Sequence, residues 1–278
     1  MTQSMAARPV GVDELRRAWH AVQDGQFRTR EPRPVRPPHP RAQTTTGEWI
    51  TSEPVLPVLG CAGQSGTTTV ALALATVSGS ARVVECCTAT ASGLAAAATA
   101  ELGRGQNAWA IGRRDRVWMA RTSQVLLGPD ETPLPDSPLA EVDLTVLDIG
   151  WEIGQVMASS GWIRDQLESA SSLVLVTTPT VPAIRRLEMA LTLLDPQKIA
   201  VAVRGTHPRR WPKALLAALG SRSAAAVKNG PVVAIPSDKG LLLRGLDSSH
   251  LPASLLKAAE NLLEHAAPGI HHQKGPQT

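Results

Sequence analysis

Tyrosine is absent from the 278-residue chain and phenylalanine occurs once, so the interior must be filled mainly by Ala, Val, Leu and Ile, with seven tryptophans as the large exceptions. Cysteine is scarce too, at Cys61, Cys86 and Cys87. Adjacent cysteines do not readily pair, which excludes a disulfide framework and fits a reducing compartment. No run approaches the roughly 18 apolar residues that a membrane-crossing helix needs. The opening "MTQSMAARPVGVDELRR" lacks the apolar stretch of a secretion signal. These absences lead to the expectation of a cytoplasmic protein with no transmembrane segment. Neither sign of charge dominates: the net charge of +4 is compatible with an anionic partner without requiring one.

What is present changes character along the chain. Residues 12 to 26 carry Val12, Leu15, Trp19 and Val22 at spacings of three and four, the pattern of an amphipathic helix. Residues 28 to 41, "RTREPRPVRPPHPR", hold five prolines and five arginines against one glutamate, a composition that cannot bury a core. This divides the chain into an N-terminal helix (1 to 27), a Pro/Arg-rich linker (28 to 53), a folded domain (54 to 267) and a disordered tail (268 to 278).

Within the domain, short apolar runs alternate with helical patterns. "PVLPVLGC", "ARVVECC", "DLTVLDIG", "SLVLVTTP", "KIAVAVRG" and "GPVVAIP" read as buried strands. "TTTVALALATVS", the Ala-rich "SGLAAAATAELG", "GQVMASSGWIRDQLESA", "VPAIRRLEMALTLLD", "PKALLAALG" and "PASLLKAAENLLEHAA" read as helices. Residues 104 to 140 are less regular, with a strand at "RVWMART". Six continuous apolar strands joined by helical crossovers predict an α/β fold with a mostly parallel sheet covered on both faces.

One stretch carries chemistry. In "VLPVLGCAGQSGTTTVALALA", residues 55 to 75, Gly60, Gly63 and Gly66 lie between a strand and a helix beginning with Thr67, Thr68 and Thr69. A glycine-rich turn there gathers backbone N–H groups where the helix dipole also favours an anion. The usual phosphate loop adds a lysine for the β and γ phosphates and a hydroxyl for magnesium. Here there is no lysine.

The order of elements from residue 55 to about 265 resembles the ParA/MinD family of deviant P-loop ATPases. That family's loop, K-G-G-x-G-K-T-T, matches "AGQSGTTT" at residues 62 to 69. "DLTVLDIG" resembles its second phosphate-side motif, with Asp148 at the acidic position, and "VVAIPSDKG" resembles its turn beside the adenine base. The resemblance implies a P-loop NTPase-like fold and, as cofactors, ATP with magnesium. It implies nucleotide contacts at Gly63, Gln64, Ser65, Gly66, Thr67, Thr68, Thr69, Arg204, Pro236 and Asp238, a magnesium site at Thr68 and Asp148, and catalytic candidates at Glu85 and Asp148.

The departures from the family fall on chemistry. Its signature lysine falls on Ala62 and its loop lysine on Thr67; its paired carboxylates fall on Glu85 and Cys87; its base-reading asparagine falls on Arg204. Loss of one charged hydrogen bond weakens binding by roughly ten- to a hundredfold, whereas loss of a preorganised transition-state stabiliser costs about 10² to 10³ in rate. Three readings therefore stay open. The first is a weak ATP binder or pseudo-ATPase serving DNA partition, plasmid or conjugative transfer, or subcellular positioning. The second is an active but atypical ATPase whose cation comes from Arg113, Arg114, Arg116 or Arg121, or from a partner. The third is a nucleotide-independent module whose basic tether binds DNA or a membrane surface. Partners implied are a second copy of the chain, another protein, or nonspecific DNA. The cysteines read as small buried hydrophobes, and the seven histidines receive no catalytic role.

Overall fold

The computed structural model describes residues 12–24, 47–194 and 198–270. The chain divides into two units, residues 1–41 and 42–278. In the first, α1 (Val12–Gln23) has acidic residues Asp13 and Glu14 in its first turn and His20 in its last, each matched to the helix dipole. Trp19 and Val22 are exposed on it. Residues 28–46 of the expected linker and 271–278 of the expected tail lie outside the described residues, whereas residues 268–270, also assigned to the tail, are ordered enough for Ile270 to pack against the core.

The second unit is built on a nine-stranded sheet of order β3-β4-β5-β2-β6-β1-β7-β8-β9. In chain order the strands are β1 (Val55–Gly60), β2 (Ala81–Cys86), β3 (Ala100–Arg104), β4 (Trp109–Arg114), β5 (Val117–Thr122), β6 (Leu144–Ile149), β7 (Ser172–Thr177), β8 (Lys198–Arg204) and β9 (Val232–Ile235). The seven strands from β5 to β9 in that order run parallel, and β3 and β4 add an antiparallel edge. The sheet is thus mostly parallel and covered on both faces, as the apolar runs predict.

Alternation along the strands sorts side chains into two cores. Leu56, Val58, Leu144 and Val146 face an all-aliphatic layer under α2 (Thr67–Val77) and α9 (Ala253–Ala266). Leu59, Leu147 and Ile149 face the other layer, under α3 (Ile153–Ala158), α4 (Trp162–Ser169) and α5 (Val181–Leu193), where the tryptophans collect. Trp109 and Trp162 are fully buried there, and each donates its indole N–H, at 2.9 Å, to a carbonyl of the 132–134 stretch. This satisfies the polar end of a large buried ring.

Four sequence expectations are corrected. The Ala-rich residues 92–103 form no helix but a turn leading into β3, because Glu85 captures the turn: its carboxylate accepts from Ser92 Oγ (2.6 Å), Gly93 N (2.6 Å) and Leu94 N (3.0 Å). The stretch from 154 to 170 is two helices, broken at Gly161, whose φ of 129° an L side chain rarely adopts. Residues 212–220 hold only one short helix, α6 (Lys213–Leu216), and are followed by α7 (Ser221–Asn229), which the apolar pattern does not signal. Residues 47–53, assigned by composition to the linker, pack on the body. Trp49 meets Trp162 edge-on at 5.1 Å, and the Glu53 carboxylate pairs with Arg82 (2.9 Å) and accepts from Thr145 (2.6 Å), both partners of the ion pair being buried.

Candidate phosphate-binding groove

The loop after β1 lies where the topology predicts a site. From β1 the chain moves to one side of the sheet through β2, then returns through β6 to β7 on the other, so the C-terminal end of β1 is the point where direction reverses. Cys61 N donates to Val176 O (2.8 Å), anchoring the loop to β7, and Ser65 N donates to Ala62 O (3.2 Å), closing a turn. Gln64 (φ 59°) and Gly66 (φ 93°) adopt the left-handed conformation needed to fold the chain back into α2. The buried Ser65 hydroxyl pairs with that of Thr67 at 3.0 Å. That pair sits directly beneath Gly60, whose hydrogen leaves room that a methyl group would take.

Helix α2 begins without a side-chain cap, since its N-cap is Gly66. The N–H groups of Thr67, Thr68 and Thr69 therefore have no partner within the helix and present the positive end of its dipole. Thr67 and Thr68 line a groove of about 560 Å³ together with the rest of residues 60–68. Asp148 at the end of β6, Trp151, Glu152 and Gln155 after it, and Arg186 from α5 also line it.

Electrostatically the groove is poised between signs. Asp148 is buried, and burial, followed by the charge of Glu85 on the adjacent strand, pushes its carboxyl up to about 7, while a hydrogen bond from Thr68 opposes the rise. Its Oδ1 has no hydrogen-bond partner, and neither has the buried Nε1 of Trp151. A buried acceptor and a buried donor left unmade in one groove each cost free energy until something polar arrives. Burial pushes the Cys61 thiol up to about 12 and raises Cys86 and Cys87 as well, so all three stay protonated. Among the described residues, no cluster of His, Cys, Asp and Glu has the arrangement of a metal centre.

The structure brings the sequence-derived residues together in two adjoining places. Gly63, Gln64, Thr67, Thr68 and Asp148 line the groove. Thr69, Arg204, Pro236 and Asp238 line a neighbouring recess of about 80 Å³, with Ser65 and Gly66 shared between the two. The Arg204 Cδ lies 3.5 Å from where a Gly66 Cβ would stand. Asp238 Oδ1 caps α8 (Lys239–Arg244), accepting from Leu241 N at 2.8 Å.

Five candidate residues lie elsewhere. Glu85 does not line the groove, and its carboxylate is occupied by the 92–94 turn, so it is not placed to orient a water. The arginines at 113, 114 and 116 stand at the opposite end of the sheet, because the β4–β5 turn is in register with Ala81 and Leu144, where β2 and β6 begin. Arg114 is buried and donates to the carbonyls of Ala97, Asp247 and Ser249, Arg113 stacks over Trp118, and Arg121 pairs with Glu101. None of Arg113, Arg114, Arg116 and Arg121 lines the groove. Sequence reasoning missed Trp151, Glu152, Gln155 and Arg186. The first three follow Asp148 closely, and Arg186 carries no local signal at all.

No protein-family model matches the chain, and no curated protein does. Solved structures do. A plasmid partition protein from Borrelia burgdorferi B31 bound to AMPPNP is 13% identical, with 76% of this chain and 97% of that one aligned at a TM-score of 0.49. The MinC:MinD cell division complex of Aquifex aeolicus gives 16%, 79%, 99% and 0.48 in the same order, and apo McdA from Cyanthece gives 14%, 77%, 99% and 0.48. The solved structures to which this chain is similar are thus of ParA/MinD-type proteins.

Proposed function

We propose that the groove at the end of β1 seats the phosphates of a nucleoside triphosphate with magnesium, and that the chain works as a nucleotide-binding switch with little or no hydrolysis. The observation that carries this reading is the uncapped N-terminus of α2 opening onto a groove whose lining also holds Asp148, with its buried, unpartnered Oδ1. The residues present fit a magnesium ion: the Thr68 hydroxyl and Asp148, which is hydrogen-bonded to it, would be the groups to hold the ion and its waters. Bound there, magnesium would neutralise phosphate charge. The adjoining recess of Arg204, Pro236 and Asp238 takes the nucleoside end.

Hydrolysis needs an oriented water and concentrated positive charge at the γ-phosphate. Glu85 is sequestered and Cys87 is a protonated thiol, so neither is placed to orient the water, and Ala62 and Thr67 bring no charge from the loop itself. Such a protein acts through the partner or second copy it holds when loaded, in DNA partition or in subcellular positioning; the similar structures include a plasmid partition protein and a cell division complex.

Calorimetric titration of the full chain with Mg–ATP, run beside a phosphate-release assay, tests this. The expected result is saturable binding with turnover at least 10²-fold below that of an ordinary P-loop ATPase. Ordinary turnover overturns the switch without hydrolysis, and absence of binding overturns the nucleotide reading.

A further inference from the structure

The loop has no cation, yet the groove does. Among the described residues lining it, Arg186 is the one positively charged side chain. It is exposed, and no hydrogen bond or carboxylate partner holds it among the described residues, in contrast to Arg82, Arg114, Arg121, Arg164 and Arg244, each tied to a named acceptor. Its backbone is nonetheless rigid. Ile184 and Leu187 on either side are buried in the core, Thr180 caps α5, and Glu188 two residues on locks α5 to α7. Trp151 lines the same groove, and its Nε1 is a buried donor with no acceptor.

We infer that Arg186 and the indole N–H of Trp151 replace the missing loop lysines, gripping the terminal phosphate of the bound nucleotide in the groove. This inference rests on the nucleotide reading above. A guanidinium suits the task, because its planar fork can hold two phosphate oxygens at once and never loses its proton. The indole adds one neutral donor in a site already dry enough to hide it. Together with the α2 N–H groups, they give an anion in the groove both fixed dipoles and a full positive charge, and Glu152 in the same lining does not pair with Arg186.

Binding of two probes to the full chain decides the matter: Mg–ATP and inorganic tripolyphosphate. Arg186→Ala is expected to weaken both by roughly 10- to 100-fold and by the same factor, because the arginine addresses phosphate and not the base. Arg186→Lys keeps part of the affinity, and Trp151→Phe loses several-fold. Arg204→Ala weakens ATP while sparing tripolyphosphate, and Arg116→Ala, at the other end of the sheet, changes neither. An unchanged urea midpoint in Arg186→Ala confirms that the loss is not one of folding. Wild-type binding that survives Arg186→Ala intact overturns the arginine assignment alone, while a wild-type chain that binds neither probe overturns that assignment and the nucleotide reading together.

Discussion

Two glycines of the loop sit a few residues apart and serve different purposes. A Cβ on Gly60 would stand 2.7 Å from Ser65 Oγ and 3.4 Å from Ala62 O, inside the turn that shapes the loop. A Cβ on Gly63 would meet nothing within 4 Å, and Gly63 lines the groove. Gly60→Ala must therefore push apart the Ser65–Thr67 hydroxyl pair, an overpacking cost of about 1 to 3 kcal/mol in urea unfolding, with polyphosphate affinity lost as the loop opens. Gly63→Ala is expected to leave the unfolding midpoint unchanged and to weaken only the binding, since its methyl group enters the space the anion needs. Equal stability losses in the two variants would show that the loop is a passive turn.

At the scale of elements, one carboxylate joins two helices. Glu188 on α5 accepts from Arg222 N (3.0 Å), Ser223 N (2.7 Å) and Ser223 Oγ (2.7 Å), capping α7 from outside, where Gly220 offers no side chain. Burial raises its carboxyl, but the hydrogen bonds from Ser223 and its neighbours outweigh burial and hold it below the ordinary 4.5. A carboxylate depressed in the folded state stabilises the protein above its unfolded value, and that stability is lost as pH falls through the lowered value. Glu188→Gln is expected to cost about 1 kcal/mol at pH 7. The gap to wild type should close as the pH drops below about 4.5; a gap independent of pH would refute the charge-assisted cap.

The same element explains what the sequence conceals. Residues 221–229, "SRSAAAVKN", carry almost no apolar periodicity, and the helix they form owes its start to a side chain over thirty residues earlier. The Ala-rich residues 92–103 are the mirror case: their propensity favours a helix, and the Glu85 carboxylate overrides it. By contrast, the strands buried on both faces are legible as continuous apolar runs, and with them the parallel sheet and the loop at its switch point. The groove is legible only on its α2 side. Asp148 and Trp151 line the same groove as Arg186 because β6 and β7 flank β1, an adjacency that no local pattern in residues 148–186 encodes.

Across the whole molecule, charge is unevenly shared. Residues 1–46 hold eight arginines, no lysine and four acidic residues, so they account for the entire net charge of +4, and residues 47–278 are neutral overall. The groove belongs wholly to that neutral part, as do Trp49 and Glu53, which the Trp162 contact and the Arg82 ion pair tie to the body. Residue 46 is therefore the place to cut; a cut at 53 would strip the Arg82 guanidinium of a buried partner, at about 3 to 5 kcal/mol, and confuse instability with lost binding. Because nonspecific nucleic-acid binding follows the count of phosphates neutralised, any such binding by this chain is expected of residues 1–46. The chain lacking residues 1–46 is expected to keep the wild-type affinity for tripolyphosphate while losing low-salt retention on duplex DNA or heparin. Wild-type retention should fall steeply between 50 and 200 mM salt. Retention that persists after the deletion would move the polyanion contact onto the body, where Arg104, Arg116, Arg209 and Arg210 are the exposed cations to replace next.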